Sequence, residues 1–213
     1  MGPQLQYIPL SARGAGSPFP DVPPQFRTIP AKAVKQENME AKLNTFLSQA
    51  EIDQAVKRLA GELDRDYRQE PPVLVGILKG GFIFLADLVR QMKTPIRSIE
   101  FLRVSSYGAG TVSDRRPRVM GGPPAGAIAG QHVVVVEDII DTGITTTAIL
   151  RYRRRQHPAS VRLCVLLDKP AGRLVPVEIG YHGFTIPDRF VVGYGLDLDQ
   201  GYRQLPEIWA LAP

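Results

Sequence analysis

Glu137, Asp138 and Asp141 follow directly on four consecutive valines and directly precede Thr142-Gly143-Ile144-Thr145, in the stretch VVVVEDIIDTGITTT from Val133 to Thr147. The glycine lets backbone come close to a ligand, and successive amides entering a helix, with threonine hydroxyls beside them, form a cradle for a phosphate. Carboxylates repel a phosphate, so the three acids must serve something else. Sugar hydroxyls, a magnesium ion or a proton in transfer all suit them.

The elements that position these groups can be read around them. Val133–Val136 has the β-branched, wholly apolar composition of a parallel strand buried on both faces, and in open α/β sheets ligands bind beyond the carboxyl ends of such strands. Val73–Leu78 (VLVGIL) is a second strand of this kind. It ends in Lys79-Gly80-Gly81, and Phe82–Met92 then has helical spacing, so backbone amides and a cation arrive at the same sheet edge. Ile99–Tyr107 reads as a third strand. Val161–Leu167 is a further one, ending in Asp168-Lys169-Pro170. Strands separated by helices at this spacing imply parallel βαβ units, an α/β fold, and bring Lys169 to the edge that carries Asp141. On spacing alone, Lys169 reads as a surface residue and Phe190 as a core residue.

The scaffold is also legible. Ser48 and Glu51 form a capping box, and Ile52, Val56, Leu59 and Leu63 make one apolar stripe on a helix that runs to about Tyr67, closed by Pro71-Pro72. Gly108–Gly130 is rich in glycine, proline and charge, a length that predicts a lid rather than a plain connection. Glu207–Leu211 reads as a closing strand. Arg151, Arg153, Arg154 and Arg155 fall near the end of the helix that starts after Gly143, where cations complement the helix dipole. His132, His157 and His182 have no ligand spacing and read as structural, and Cys164 as a core residue.

The 213-residue length suits one α/β domain with a tail. Residues 1–38, proline-rich and without periodicity, read as a flexible N-terminal extension, and residues 39–213 as the folded domain. The 44% hydrophobic and 22% charged content is ordinary for a soluble protein. No apolar run approaches the roughly 20 residues of a membrane span, and the first residues lack a secretory pattern. With Cys164 alone no internal disulfide can form, so a cytoplasmic location is expected. The net charge of +5 comes without an interleaved aromatic and basic stripe, so neither nucleic acid nor membrane is expected as a partner.

The Val133–Thr147 stretch resembles the phosphoribosyl-pyrophosphate loop of the type I phosphoribosyltransferases, and the acid at 141 narrows the resemblance to the hypoxanthine-guanine branch. Leu78-Lys79-Gly80-Gly81 is similar to that family's pyrophosphate loop, whose Leu-Lys peptide can be cis. Pro187-Asp188-Arg189-Phe190-Val191-Val192-Gly193-Tyr194-Gly195-Leu196-Asp197 is similar to the family's PDKFVVGYALD. The resemblance runs from about Met39 to Leu211. It implies a central, mostly parallel sheet flanked by helices, a small hood and a mobile lid carrying Ser106 and Tyr107.

By the same resemblance, Asp141 is the general base, and the Asp141–Thr145 segment (Asp141, Thr142, Gly143, Ile144, Thr145) grips the 5-phosphate. Glu137 and Asp138 hold the ribose hydroxyls, directly or through metal. Lys79, Gly80 and Arg203 meet pyrophosphate. Lys169 meets the exocyclic oxygen of a 6-oxopurine, Phe190 stacks on its ring, and Val191 offers backbone. Asp197 meets magnesium. The implied substrates are 5-phosphoribosyl 1-pyrophosphate and hypoxanthine or guanine, the products IMP or GMP, and the assembly a homodimer or homotetramer. Ile144 departs from relatives that carry a base there, and the lid sequence is this chain's own. A xanthine-preferring transferase, or an RNA-binding, nucleotide-responsive regulator on the same fold, are the alternatives; that regulator family has no acid at the place of Asp141.

Overall fold

The computed structural model describes residues 43–105, 118–124 and 126–211; the expected extension over 1–38, with Ser106 and Tyr107 of the expected lid, lies outside them. In chain order the elements are β1 (Leu43–Leu47), α1 (Gln49–Asp66), β2 (Val73–Leu78), α2 (Phe82–Gln91), β3 (Ser98–Ser105), β4 (Arg118–Gly121), β5 (His132–Ile140), α3 (Ile144–Arg154), β6 (Ser160–Asp168), a 3₁₀ turn (Pro170–Gly172), β7 (Tyr181–Thr185), β8 (Val191–Val192) and β9 (Ile208–Leu211).

Six strands form one sheet in the order β4-β3-β2-β5-β6-β7, parallel except for β4, which runs antiparallel to β3. The valines of β5 show why the centre of the sheet is uniformly apolar. All four are 0% exposed. Successive side chains on a strand point to opposite faces, and both faces are covered. Val134 and Val136 join a core with Leu59 and Leu63 of α1 and Phe84 and Leu88 of α2. Val133 and Val135 join a second core with Ile149 and Leu150 of α3. The capping box of α1 forms as its sequence requires, with Ser48 accepting from the Glu51 amide and the Glu51 carboxylate accepting from the Ser48 amide.

A separate three-stranded antiparallel sheet, β1-β9-β8, supplies the small hood. Among the described residues no helix is long and apolar enough to cross a membrane.

Three expectations are corrected. The valine strand does not stop before the acids: β5 runs through Glu137 and Asp138 to Ile140, in register with β6 as far as Asp168. The long Gly108–Gly130 stretch is partly scaffold, since β4 pairs with β3 (Leu102↔Gly121, Arg103↔Met120) and Ile128 is fully buried in the second core. Arg153 is not a solvated helix-end cation. It shares the inward stripe of α3 with Thr146, Ile149 and Leu150 and is 0% exposed. Its Nη1 donates to Gln156 Oε1 at 2.9 Å, and Gly122 leaves the space that its Nη2 occupies. Burial lowers its pKa.

Candidate active site

The carboxyl ends of β2, β5 and β6 meet the hood segment 189–203 around a cleft of about 350 Å³, lined by Lys79, Gly80, Asp138, Ile139, Asp141, Lys169, Arg189, Phe190, Val191, Leu196, Asp197 and Arg203. Nine of the sequence-predicted residues are therefore brought together on one wall. A larger concavity of about 720 Å³ lies between the C-terminal ends of α1 and α2, but it has none of these groups.

Beyond β5, Asp141 and Thr142 lead to Gly143, which has φ +80 and caps α3. An L side chain is strained there, and a Cβ would also press on the Val175 carbonyl at 2.6 Å. This turn is held from outside: Thr142 O accepts from the amides of Leu174 and Val175 at 3.0 and 3.1 Å, and Asp141 O accepts from Arg173 Nε at 2.9 Å. The same guanidinium pairs with Asp168. Ile144 and Thr145 open α3, whose N-terminal amides suit an anion. Ile144 is 42% exposed and brings no polar group.

Glu137 does not line the cleft. It is 6% exposed and accepts from Thr146 Oγ1 at 2.8 Å. Burial, then the charge of Asp138, pushes its pKa up to about 8 against that hydrogen bond. Asp138 does line the cleft, and burial raises its pKa to about 6, opposed by its own and the Ile139 amides and by Arg203, reinforced by Asp197.

A carboxyl that ionises near 4.5 in the unfolded chain but near 8 when folded binds more protons in the folded state between those values, so folding stability falls as pH rises through that window. In the ligand-free protein, Glu137→Gln should therefore gain on the wild type between pH 5 and pH 8.5 by on the order of 2 kcal/mol, or roughly 4–8 °C in melting temperature. Parallel melting curves across that range would remove the buried-acid account.

The Leu78–Lys79 peptide is cis. Lys79 Nζ donates to Gln200 Oε1 at 2.7 Å. Gly80 lies so close to Asp138 that a Cβ would collide with its carboxylate. On the hood side, Asp197 Oδ1 is 2.6 Å from Arg203 Nη2, and Asp197 Oδ2 accepts from the Gln200 amide at 2.9 Å. Tyr194, Asp199, Gln200 and Tyr202 all have positive φ, a concentration of backbone strain of the sort found at ligand sites. At the other end, Lys169 Nζ stands 2.8 Å from Asp188 and 3.4 Å from Asp141, Phe190 is 48% exposed toward solvent, and Val191 is buried. Against burial, which alone would lower it, the Asp188 hydrogen bond and the Asp141 charge raise the Lys169 pKa.

Sequence reasoning missed Arg173, Asp188, Arg189 and Gln200. Asp188 and Arg189 sit inside the quoted Pro187–Asp197 stretch, so adjacency could have found them; Arg173 and Gln200 have no local signal.

Past β5 lies a turn of amides and hydroxyls, past β2 a Lys-Gly loop, and the hood carries an aromatic and an acid; residues 43–199, which hold most of these, match the phosphoribosyl transferase domain. The chain belongs to the phosphoribosyltransferase family. Its relatives fall in the hypoxanthine-guanine branch. It is 46% identical over 166 residues to the hypoxanthine-guanine phosphoribosyltransferase of Streptococcus pneumoniae, covering 78% of this chain and 91% of that one. To the enzyme of that name from Bacillus subtilis it is 38% identical over 168 residues, covering 79% and 92%. A crystal structure of a hypoxanthine phosphoribosyltransferase from Staphylococcus aureus superposes with a TM-score of 0.75 at 38% identity, covering 84% of this chain and 97% of that one.

Proposed function

We propose that residues 39–213 form a hypoxanthine-guanine phosphoribosyltransferase, which joins a 6-oxopurine to the ribose 5-phosphate of 5-phosphoribosyl 1-pyrophosphate with magnesium and releases pyrophosphate. The observation that carries this is convergence: Lys79, Asp138, Asp141, Lys169, Phe190 and Asp197, far apart in sequence, share one cleft.

Breaking the bond at the anomeric carbon leaves positive charge on the sugar, as in glycoside transfer. The departing pyrophosphate is then the group to stabilise, and Lys79, the Gly80 backbone and Arg203 do so. Amides and hydroxyls from Asp141 to Thr145 hold the 5-phosphate. Asp138, with Glu137 behind it, holds the ribose hydroxyls. Asp141 accepts the proton from the purine's imidazole nitrogen. Phe190 stacks on the ring and Val191 offers its backbone.

The donor set fits magnesium. Among the described residues no group of three or more His, Cys, Asp or Glu gathers as a metal cage, and magnesium is commonly held by one or two carboxylates plus substrate phosphates. Asp138 and Asp197, whose charge raises the Asp138 pKa, are those carboxylates, while Glu137, turned onto Thr146, is not among them. The ion, when bound, draws negative charge from the phosphates.

Ile99 and Phe101 on one face of β3, Met120 opposite Arg103 on the same face, and Phe82 on α2 are each more than 40% exposed. Such a patch supports self-association as a homodimer or homotetramer, which light scattering reads directly. A cytoplasmic location goes with the single, buried Cys164.

Purified chain mixed with hypoxanthine, 5-phosphoribosyl 1-pyrophosphate and magnesium should form IMP. Excess chelator should cut the rate by about 100-fold or more, and added magnesium should restore it. No IMP or GMP in the complete mixture would reject the proposal; turnover of xanthine alone would correct the base.

A further inference from the structure

The purine end of the cleft contains an ion pair that the reaction outlined above does not use. Lys169 Nζ lies 2.8 Å from Asp188 Oδ1 and 3.4 Å from Asp141 Oδ2. The lysine side chain is only 9% exposed, whereas Asp188 is 66% exposed. The turn that delivers Asp188 is tied to the strand that delivers the lysine, because the Ile186 amide donates to Asp168 O at 2.8 Å and the Arg189 amide closes back on Pro187 O at 2.8 Å. The Lys169 amide in turn donates to Ile140 O at 2.9 Å. Asp168, next in sequence to the lysine, is taken by Arg173. Among the described residues the acids paired with the ammonium are therefore Asp141 and Asp188, and Asp141 and Arg189 both line the cleft.

We infer that Asp188 is a positioning residue that shares the Lys169 ammonium with Asp141, keeping it from settling wholly on Asp141, and so sets the preference for a purine with oxygen rather than an amino group at ring position six. The inference rests on the functional reading above. An ammonium has three donors and no acceptor. With one donor on Asp188 and one on Asp141, the third is free for an exocyclic oxygen, while an amino group would set donor against donor. Without Asp188, Asp141 is the remaining partner. The ammonium then settles on the carboxylate that has to take the purine's proton, and the oxygen of the base loses its contact.

Steady-state kinetics on the full chain test this, using Asp188→Asn, Asp188→Glu, Lys169→Met and the Lys169→Met/Asp188→Asn pair. Asp188→Asn should raise KM for hypoxanthine about tenfold and leave KM for 5-phosphoribosyl 1-pyrophosphate within about twofold. Asp188→Glu should recover most of the loss. In the Lys169→Met background the Asp188 change should add less than about twofold, since the two act as a unit. An unchanged KM for hypoxanthine, an equal rise for both substrates, or an equal loss in both backgrounds would overturn the inference while wild-type turnover left the functional reading standing. Wild-type protein inert toward every 6-oxopurine would overturn both.

Discussion

Asp141→Asn is expected to lower kcat for hypoxanthine by about 10²–10⁴-fold while leaving the affinity for IMP within about threefold. The side chains match in shape, so the replacement isolates the proton. Its surroundings keep the loop in place without the charge: Thr142 O is held by the Leu174 and Val175 amides, and Asp141 O by Arg173 Nε. The turn proposed to hold the 5-phosphate therefore survives, as does its proposed contribution to nucleotide binding. An asparagine oxygen can still accept from Lys169 but cannot take a proton from an imidazole nitrogen at neutral pH. Stopped turnover with intact IMP binding, read by kinetics and calorimetry, separates a base from a binding group. Equal losses in both would make Asp141 a ligand contact, and unchanged turnover would remove it from the chemistry.

What the sequence displays well is whatever is encoded over a short span. The β5 valines, the Ser48–Glu51 box and the Thr-Gly turn each carry their physics within a few residues, and each sits in the structure where its pattern puts it. Less legible are features that depend on a distant partner. Arg153 looks like one of four solvated arginines until Gly122, in another segment, leaves room for its guanidinium. The end of β5 looked like the last valine, yet pairing with β6 carries the strand through Glu137 and Asp138. That extension decides the chemistry of the two acids. Alternation along the strand turns Glu137 to the α3 face, onto Thr146, and leaves Asp138 to the cleft. Nor could β4 be seen, because its glycine- and proline-rich flanks hide a strand that β3 templates. Lys79 with Gln200 and Lys169 with Asp188 are pairings of side chains alone, and no periodicity announces them.

Gly195→Ala carries a large expected structural cost, and it should couple stability to substrate binding. Gly195 has φ +98, a conformation that strains any L residue. A Cβ there would also run into the Gly80 carbonyl, and Gly80 itself has no room for a Cβ beside Asp138. Backbone from the hood, backbone from the Lys79-Gly80 loop and the Asp138 carboxylate thus form one stack with no slack in it. The same residue closes the hood loop, with its amide donating to Arg203 O at 3.0 Å and its carbonyl accepting from Arg203 Nη1 at 2.6 Å. Alanine must push the two loops apart or twist the hood, for about 2–4 kcal/mol of lost stability. Either movement displaces Arg203 or Lys79 from the place proposed for pyrophosphate, so KM for 5-phosphoribosyl 1-pyrophosphate should rise at least about tenfold, and more than KM for the base. Thermal melting and paired KM measurements read the two effects separately. A variant that melts like the wild type would show that the contact between Gly195 and Gly80 yields freely, and a destabilised variant with both KM values unchanged would show that the hood glycine serves folding alone.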